Sequence, residues 1–213
     1  MHSVRRYLDK VLEAYSVGPF YEEVKAARAD YFDRAGRVAE GSEKFELQMN
    51  AFLDWYLFDR PLNKAQIAPV KLFVLEHLGK LPEEEREIFT NLTKSVHSLF
   101  ELLKVKNTDV YVKDLFDGEK YVVEESDINK GFNKGDIFEG RLIKLRDHLV
   151  FGTSFVFHPS EVKAYIVKQI KTEKFQDMKQ RLKLIHRLAT MKLKLEQYAH
   201  IDIKHIYTDT PVF

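Results

Sequence analysis

The chain of 213 residues contains no cysteine, which excludes disulfides, thiolate nucleophiles and cysteine metal ligands. It also has no run near the ~20 consecutive apolar residues that a membrane-spanning helix requires. The first nine residues are charged and amphipathic, and they lack the apolar core of a secretory signal. We therefore expect a cytoplasmic protein with no membrane partner.

The sequence also lacks the short motifs that mark common catalytic and cofactor sites. It has no Gly-x-Ser-x-Gly elbow, Walker loop, dinucleotide fingerprint or His-Glu-x-x-His pair. Near the C-terminus, His200, Asp202, His205 and Asp209 match no common zinc spacing. We expect no metal, no cofactor and no catalytic residue. Carboxylates distant in sequence can still meet in space, so an enzyme of unrecognised type stays an alternative.

The most apolar stretch, residues 50–62, contains the only tryptophan of the chain. Apolar side chains here and in the preceding turn recur every three or four residues, which predicts a helix over 43–59 with Ser42 as its N-cap. Pro61 ends this helix, because proline has no backbone N–H to donate. The core motif of the helix comprises Phe52, Trp55, Tyr56, Phe58, Asp59 and Pro61.

Two interpretations of this helix compete. In the first, Asp54 and Asp59 present their carboxylates to a pocket lined by the aromatic side chains. In the second, the aromatic side chains form a packed core, and Asp59 makes a polar contact with Arg60 at the end of the helix. The second is favoured, because aromatic clusters at helical spacing are usually buried.

Further helices complete an N-terminal helical domain that is predicted over 1–98. Apolar residues at helical spacing predict helices over 4–15 and 20–38, and a short helix from Pro69. Three acids that follow Pro82 favour another helix start, since acids complement the positive end of the helix dipole.

Near residue 100 the apolar period changes from 3.6 to 2, which predicts strands. Asp117-Gly118 lies between two β-prone runs and is a strong hairpin signal. About five short antiparallel strands are predicted within 99–158, enough for a small closed barrel of the SH3-like or OB-like kind. The fold class is therefore predicted to be α+β.

The C-terminal segment, 159–213, is predicted to return to helix, in one or two helices over 161–198 that pack back on the body. Between Lys163 and Lys194 it carries ten Lys or Arg and two acids, a net charge of +8 against −7 for the rest of the chain. This asymmetry indicates either a charged partner or internal docking. The wide apolar face of the segment supports docking and also allows self-association into a homo-oligomer.

The central helix carries a resemblance. Phe52-Leu-Asp-Trp-Tyr-Leu-Phe-Asp59, followed by Leu81-Pro-Glu-Glu-Glu-Arg86 and Lys134-Gly-Asp136, resembles a group of uncharacterised bacterial proteins with a Phe-x-x-Trp-Phe-x-Phe-Asp-like helix and a glycine-punctuated β region. The resemblance covers about residues 45–155 and implies no known reaction. Separately, residues 134–143 are similar to the opening of S1-type OB domains, which implies RNA binding.

Two functions of different kinds fit these features, and we expect the first. The first is a non-enzymatic adaptor that engages a protein partner through the barrel rim or the C-terminal helix. The second is a nucleic-acid-binding protein whose barrel and basic helix form one positive surface. Broad apolar faces in the helix favour the first, because a groove-binding arm has less need of them. The candidate binding residues are Lys134, Lys144, Arg146, Lys171, Lys174, Lys179, Arg181, Lys183, Arg187, Lys192 and Lys194.

Overall fold

The computed structural model describes residues 4–35, 43–124, 133–172, 177–198 and 200–210, which form an α+β fold. Its helices are α1 Arg5–Ser16, α2 Tyr21–Ala35, α3 Glu43–Phe58, α4 Pro69–His77, α5 Glu83–Leu92, α6 Lys163–Thr172, α7 Met178–Gln197 and α8 Ile203–Ile206. Its strands are β1 Val96–Lys106, β2 Asp109–Asp114, β3 Lys120–Val123, β4 Ile137–Leu145 and β5 His148–His158. Within the described ranges, no helix combines the length and the apolar character needed to cross a lipid bilayer.

The central helix α3 ends where its sequence predicts. The N–H groups of Asp59 and Arg60 both donate to the carbonyl of Trp55, at 3.0 and 2.9 Å. Pro61 follows and has no N–H to continue the helix. The predicted N-cap Ser42 lies outside the described residues.

The five strands pair in the order β3-β2-β1-β4-β5. β1 and β2 are antiparallel, with Phe100 opposite Asp114, and β2 pairs antiparallel with β3, with Val110 opposite Val123. β3 and β5 are therefore edge strands, and the described strands form an open sheet in place of the closed barrel expected from the sequence. At four residues, β3 offers few backbone groups for a further ladder, as is common for edge strands.

The turn between β2 and β3 follows the Asp-Gly signal. Gly118 has a φ of +82°, and its N–H donates to the carbonyl of Asp114 at 3.0 Å. The carboxylate of Asp114 accepts a second bond from the N–H of Phe116 at 2.8 Å. Burial raises the pKa of Asp114 above its usual range, although the bond from Phe116 acts against that rise. Both ends of the turn are therefore fixed by one residue of β2.

The chain divides into two compact units. Unit 1 consists of Met1–Val96 and Arg141–Ser154, and unit 2 of His97–Gly140 and Phe155–Phe213. Each unit contains two stretches of chain, because β4 and β5 each run through both. The organisation into three segments stays a prediction, since compactness does not show which part folds independently.

Unit 1 has an aromatic core around α3. Phe52 and Tyr56 are buried and stack with 6.0 Å between their ring centroids. Trp55 is half-buried and lies 5.5 Å from the ring of Tyr31. The hydroxyl of Tyr56 donates to the carbonyl of Tyr15 at 2.6 Å, and burial raises the pKa of Tyr56 to about 12. This hydrogen bond joins α3 to the end of α1.

Unit 2 buries apolar residues of α6 and α7 against the sheet. Leu99 of β1 and Ile137 of β4 belong to one cluster with both helices and with the segment that follows them. The helical and C-terminal members of this cluster are Val162, Ile166, Leu184, Ile185, Leu188, Met191, Ile206 and Tyr207. The tail after residue 200 was left open by the sequence between fraying and docking, and its described part, 201–210, is docked through Ile206 and Tyr207.

Candidate binding surface on the C-terminal helices

Four cations of α7 lie along one side of the helix. The buried residues Leu184, Leu188 and Met191 mark the adjoining side of the helix, which belongs to the core of unit 2. At 100° per residue, the four cations fall within an arc of about 80°, and a rise of 1.5 Å per residue spaces them over about 22 Å. This row, which we call the cationic ridge, consists of Lys179, Lys183, Arg187 and Lys194.

Two other predicted cations of α7 are held by partners inside unit 2. Arg181 donates to the carboxylate of Asp117 at 3.2 Å, and its guanidinium lies 5.3 Å from the centroid of the Phe116 ring. Lys192 forms an ion pair with Glu196 at 2.7 Å, one helical turn away. These side chains stabilise the unit, and at 100° per residue they also lie outside the arc of the ridge.

The lysines at the start of the ridge have no such partners. Lys179 and Lys183 are exposed, and neither side chain makes a hydrogen bond or ion pair with any residue in the described part of the chain. The same holds for the side chains of Lys168 and Lys171 on α6. Unit 2 therefore presents four lysine charges to solvent on its two long helices.

The remaining predicted binding residues are spread between the two units. Lys134 is exposed in the turn before β4 and belongs to unit 2. Lys144 of β4 and Arg146 of the following turn are exposed and belong to unit 1. Lys174 lies outside the described residues. The ridge therefore contains four members of the predicted set, all of them on α7.

A cleft of about 180 Å³ opens between α7 and the C-terminal segment, and we call it the tail cleft. Arg187 and Lys194 of the ridge stand on its α7 side. Thr208 and Asp209 stand on the side of the C-terminal segment. The full lining consists of Arg187, Thr190, Met191, Lys194, Ile206, Thr208 and Asp209.

The C-terminal wall of the tail cleft is held by hydrogen bonds to α6. Asp209 accepts from the amide of Gln169 at 2.6 Å and from the hydroxyl of Tyr165 at 3.2 Å. The carbonyl oxygen of the same Gln169 side chain accepts from Arg187 at 2.8 Å. Gln169 therefore bridges the two walls of the cleft.

A buried pair at the end of β5 anchors the same wall. His158 Nδ1 lies 3.1 Å from the hydroxyl of Tyr207. Burial, together with the charge of Lys192, lowers the pKa of His158 to about 3, so its ring is neutral at pH 7. Burial, together with the charge of Glu196, also raises the pKa of Tyr207. Both groups are neutral at pH 7, so neither brings a charge into this buried position.

The competing candidate, the carboxylates of α3, has a structural role in unit 1. The guanidinium of Arg141 donates to Asp54 at 2.8 Å and to Asp59 at 2.7 Å, and it lies 4.1 Å from the Phe58 ring centroid. Burial alone would lower the pKa of Arg141, but the two carboxylates outweigh it and raise that pKa. A nearby pocket that Asp54 lines has about 40 Å³, roughly the room that one water molecule occupies. These carboxylates therefore bind an internal arginine.

The partner of Asp59 also differs from the sequence interpretation. Asp59 was expected to contact Arg60, but Arg60 donates to Glu23 of α2 at 3.0 Å. Arg141 takes its place, 82 residues further along the chain. In β4, Arg141 is two residues before the buried Ile143, so both lie on the same face of the strand, and this spacing is a signal in the sequence that the arginine points toward a core.

The profile of a family of unknown function, DUF7986, matches residues 34–193, which is most of the chain. The chain belongs to this family. No curated protein and no solved structure matches it. The resemblance to uncharacterised proteins is confirmed, and membership in DUF7986 carries no reaction or ligand with it.

The region that the DUF7986 profile matches contains most of the cationic ridge. Lys179, Lys183 and Arg187 lie inside the matched region. Lys194 and the C-terminal wall of the tail cleft lie beyond it. The first part of the ridge is therefore the portion of this surface to be compared across the family.

A second polar cluster in this DUF7986 protein lies inside unit 2. His97 Nε2 of β1 is 2.9 Å from the Glu139 carboxylate of β4, and the rings of His97 and His186 have centroids 6.4 Å apart. Two imidazoles on one tetrahedral zinc ion have ring centroids about 5 Å apart, given Zn–N bonds of 2.0–2.1 Å. His97 is therefore placed for a hydrogen bond with Glu139, and the two rings do not meet the spacing of a shared zinc ion.

Sequence reasoning missed the polar residues of the tail cleft. Thr190, Thr208 and Gln169 carry no motif, and their meeting depends on how the tail docks. Asp202 and Asp209 were weighed as metal ligands, but Asp202 caps α8 by accepting from the N–H of Lys204 at 2.9 Å. Asp209 is bonded to α6 as described above.

Proposed function

We propose that this DUF7986 protein is a non-enzymatic binding protein that docks an acidic surface of a partner protein on the cationic ridge. The observation that carries the proposal is the state of Lys179 and Lys183, which are exposed and make no ion pair within the described chain. A folded protein gains little stability from such charges, so their alignment on one side of α7 is best explained by a partner.

Charge complementarity would give this docking its speed and specificity. Aligned lysines raise the rate at which a partner of opposite charge is encountered, and salt reduces that rate. Met178, the first residue of α7, is 49% exposed and points about 100° around the helix from Lys179. Methionine is enriched at protein interfaces and adapts to irregular apolar surfaces, so Met178 offers an apolar contact to a partner that reaches around the end of the helix.

A nucleic acid is the competing partner for the same lysines. Two observations favour a protein. Arg181 and Arg187 already donate to Asp117 and Gln169, whereas nucleic-acid recognition relies heavily on the arginine fork. Phe138, the aromatic residue of the S1-like segment 134–143, is buried and offers no face for stacking with a base.

A charge-reversal pair tests the proposal. We would compare the wild type, K179E/K183E and the matched control K144E/R146E, which reverses two exposed charges in unit 1. Each would be used to capture partners from nuclease-treated native lysate of the source organism. The proposal expects the same protein to be retained by the wild type and the control, and its retention to fall at least tenfold with K179E/K183E or in about 0.5 M salt.

Other results of the partner capture would contradict this proposal and indicate a different function. Retention of material that only nuclease removes would identify a nucleic-acid-binding protein. A partner that K179E/K183E retains as well as the wild type does would place docking elsewhere, for example on an edge of the open sheet. Exclusive recovery of the same chain, reversed by K179E/K183E, would identify a homo-oligomer.

A further inference from the structure

We infer that the tail cleft binds a small phosphate monoester. This site goes beyond the proposed function, because it takes a small molecule and uses residues of the C-terminal segment that the ridge lacks. The inference rests on the geometry of the cleft. Helix α7 forms one wall, the C-terminal segment forms the other, and the side chain of Gln169 makes hydrogen bonds to both.

The charges of the cleft select an anion. Arg187 and Lys194 line it seven residues apart, which places them two turns apart on the same side of α7. Thr208 lines the same cleft, and its hydroxyl is able to donate to an oxygen of the ligand, whereas the hydroxyl of Thr190 already donates to the carbonyl of His186 at 2.9 Å. A phosphate group accepts several such bonds at once, and arginine, lysine and hydroxyl groups together form its usual protein environment.

Asp209 sets the shape of the ligand. Its carboxylate already accepts from Gln169 and Tyr165, so it is fixed in the C-terminal wall. A second anionic group beside Asp209 is repelled, whereas a hydroxyl of the ligand donates to it. The ligand is therefore expected to have its phosphate near α7 and a neutral hydroxylated part near the tail.

The size of the cleft limits the ligand to a small molecule. A cavity of about 150 Å³ holds one benzene ring, so the 180 Å³ of the tail cleft suit a phosphate with a short carbon chain or a single sugar ring partly in solvent. Met191 and Ile206 form an apolar floor against which carbon atoms pack. A larger ligand, such as a dinucleotide, would extend well outside the cleft.

The wall formed by the tail does not depend on the ligand for its position. Tyr207 is held by His158, and its ring also meets Tyr165 edge to face at 6.2 Å. Ile206 is buried in the core of unit 2. The cleft is therefore formed before a ligand arrives, which lowers the ordering cost of binding.

Titration calorimetry and amide NMR shifts would test the site with three probes: glycerol 3-phosphate, inorganic phosphate and glycerol. We expect glycerol 3-phosphate to bind more tightly than inorganic phosphate, glycerol not to bind, and the shifts to cluster at residues 187–194 and 203–209. R187Q/K194Q should weaken binding at least tenfold. The matched control K179Q/K183Q, which removes two charges from the same helix outside the cleft, should change it less than twofold.

A second variant guards against a folding defect, because Arg187 also bonds to Gln169. T208L fills the cleft from a half-buried position of the C-terminal segment without changing any charge, and we expect it to weaken binding of glycerol 3-phosphate at least fivefold. Equal losses in R187Q/K194Q and K179Q/K183Q would overturn the site, since they would indicate general attraction to a basic helix. Absence of shifts at both segments, or full binding by T208L, would also overturn it. Neither result bears on partner capture by Lys179 and Lys183, so the two proposals fail separately.

Discussion

Arg141 holds a charge inside unit 1, where its side chain is only 4% exposed. Removing a guanidinium from water is costly, and the cost is offset only because Asp54 and Asp59 both bind it. The two aspartates are also buried, so each needs Arg141 as much as Arg141 needs them. This mutual dependence makes the three residues sensitive to single substitutions and tolerant of joint ones.

We expect Arg141→Met to lower the free energy of unfolding by about 3–5 kcal/mol, because it leaves two buried carboxylates without a cation. Trp55 belongs to the same unit, so urea denaturation followed by tryptophan fluorescence reports the change. Arg146→Met, at an exposed arginine of the next turn, is the control and should change stability by at most about 0.5 kcal/mol. R141M/D54N/D59N should recover part of the loss. Equal stability of R141M and R146M would show that the network contributes nothing.

His158 gives unit 2 a dependence on pH. Its folded pKa of about 3 lies below the ordinary value of 6.5, so the unfolded chain binds a proton that the folded chain does not. The stability that depends on neutral His158 is therefore fully present above about pH 6.5 and is lost as the pH falls toward 3. His158→Asn keeps a polar side chain near Tyr207 but does not titrate in this range. We expect the wild type to lose more stability than H158N between pH 7 and pH 4, measured by urea midpoints from circular dichroism. Parallel curves would contradict a buried neutral histidine.

At the scale of elements, local sequence patterns were sufficient to predict the central helix and the hairpin. The helix predicted over 43–59 is Glu43–Phe58, because its apolar spacing and Pro61 are both local signals. The hairpin at Asp117-Gly118 is confirmed for the same reason. The open order of the strands was not predictable, since it depends on which distant strands pair. The cations of α7 were visible, but the pairing of Arg181 with Asp117, 64 residues away, was not.

The β2–β3 hairpin depends on Gly118, whose φ of +82° is rare for other residues. A Cβ there would meet only the end of the Lys113 side chain, at 3.8 Å, so backbone strain is the main penalty. We expect Gly118→Ala to lower stability by about 1–2 kcal/mol and Gly118→Asn to lower it less, because asparagine tolerates this region better. Gly79→Ala is the control, since that position has open space around it. Urea midpoints check the order, and equal midpoints for G118A and G118N would argue against backbone strain.

At the scale of the whole molecule, each unit is assembled from two stretches of chain that are far apart in sequence. Unit 1 includes Arg141–Ser154 as well as the helices before Val96. In this second stretch, Arg141 balances the charge of the two buried aspartates of α3, and Ile143 belongs to the same core. The contribution of this second stretch could not be predicted from composition. The domain boundary predicted from the sequence was placed where the secondary structure changes from helix to strand. The compact units are instead defined by long-range contacts.

The fragment 1–96 tests directly whether the helices of unit 1 fold without its second stretch. The fragment retains α1 to α5 but leaves Asp54 and Asp59 without Arg141 and exposes the surface that Ile143 covers. We expect it to lack the cooperative urea transition of Trp55 fluorescence that the full chain shows.

D54N/D59N in the same fragment separates the two causes, because it removes the buried charges and leaves the exposed apolar surface. Recovery of a cooperative transition in that variant would assign the defect to charge, and continued loss would assign it to packing. A cooperative transition in the unmodified fragment, with the midpoint of the full chain, would show that the helices before Val96 fold without the second stretch.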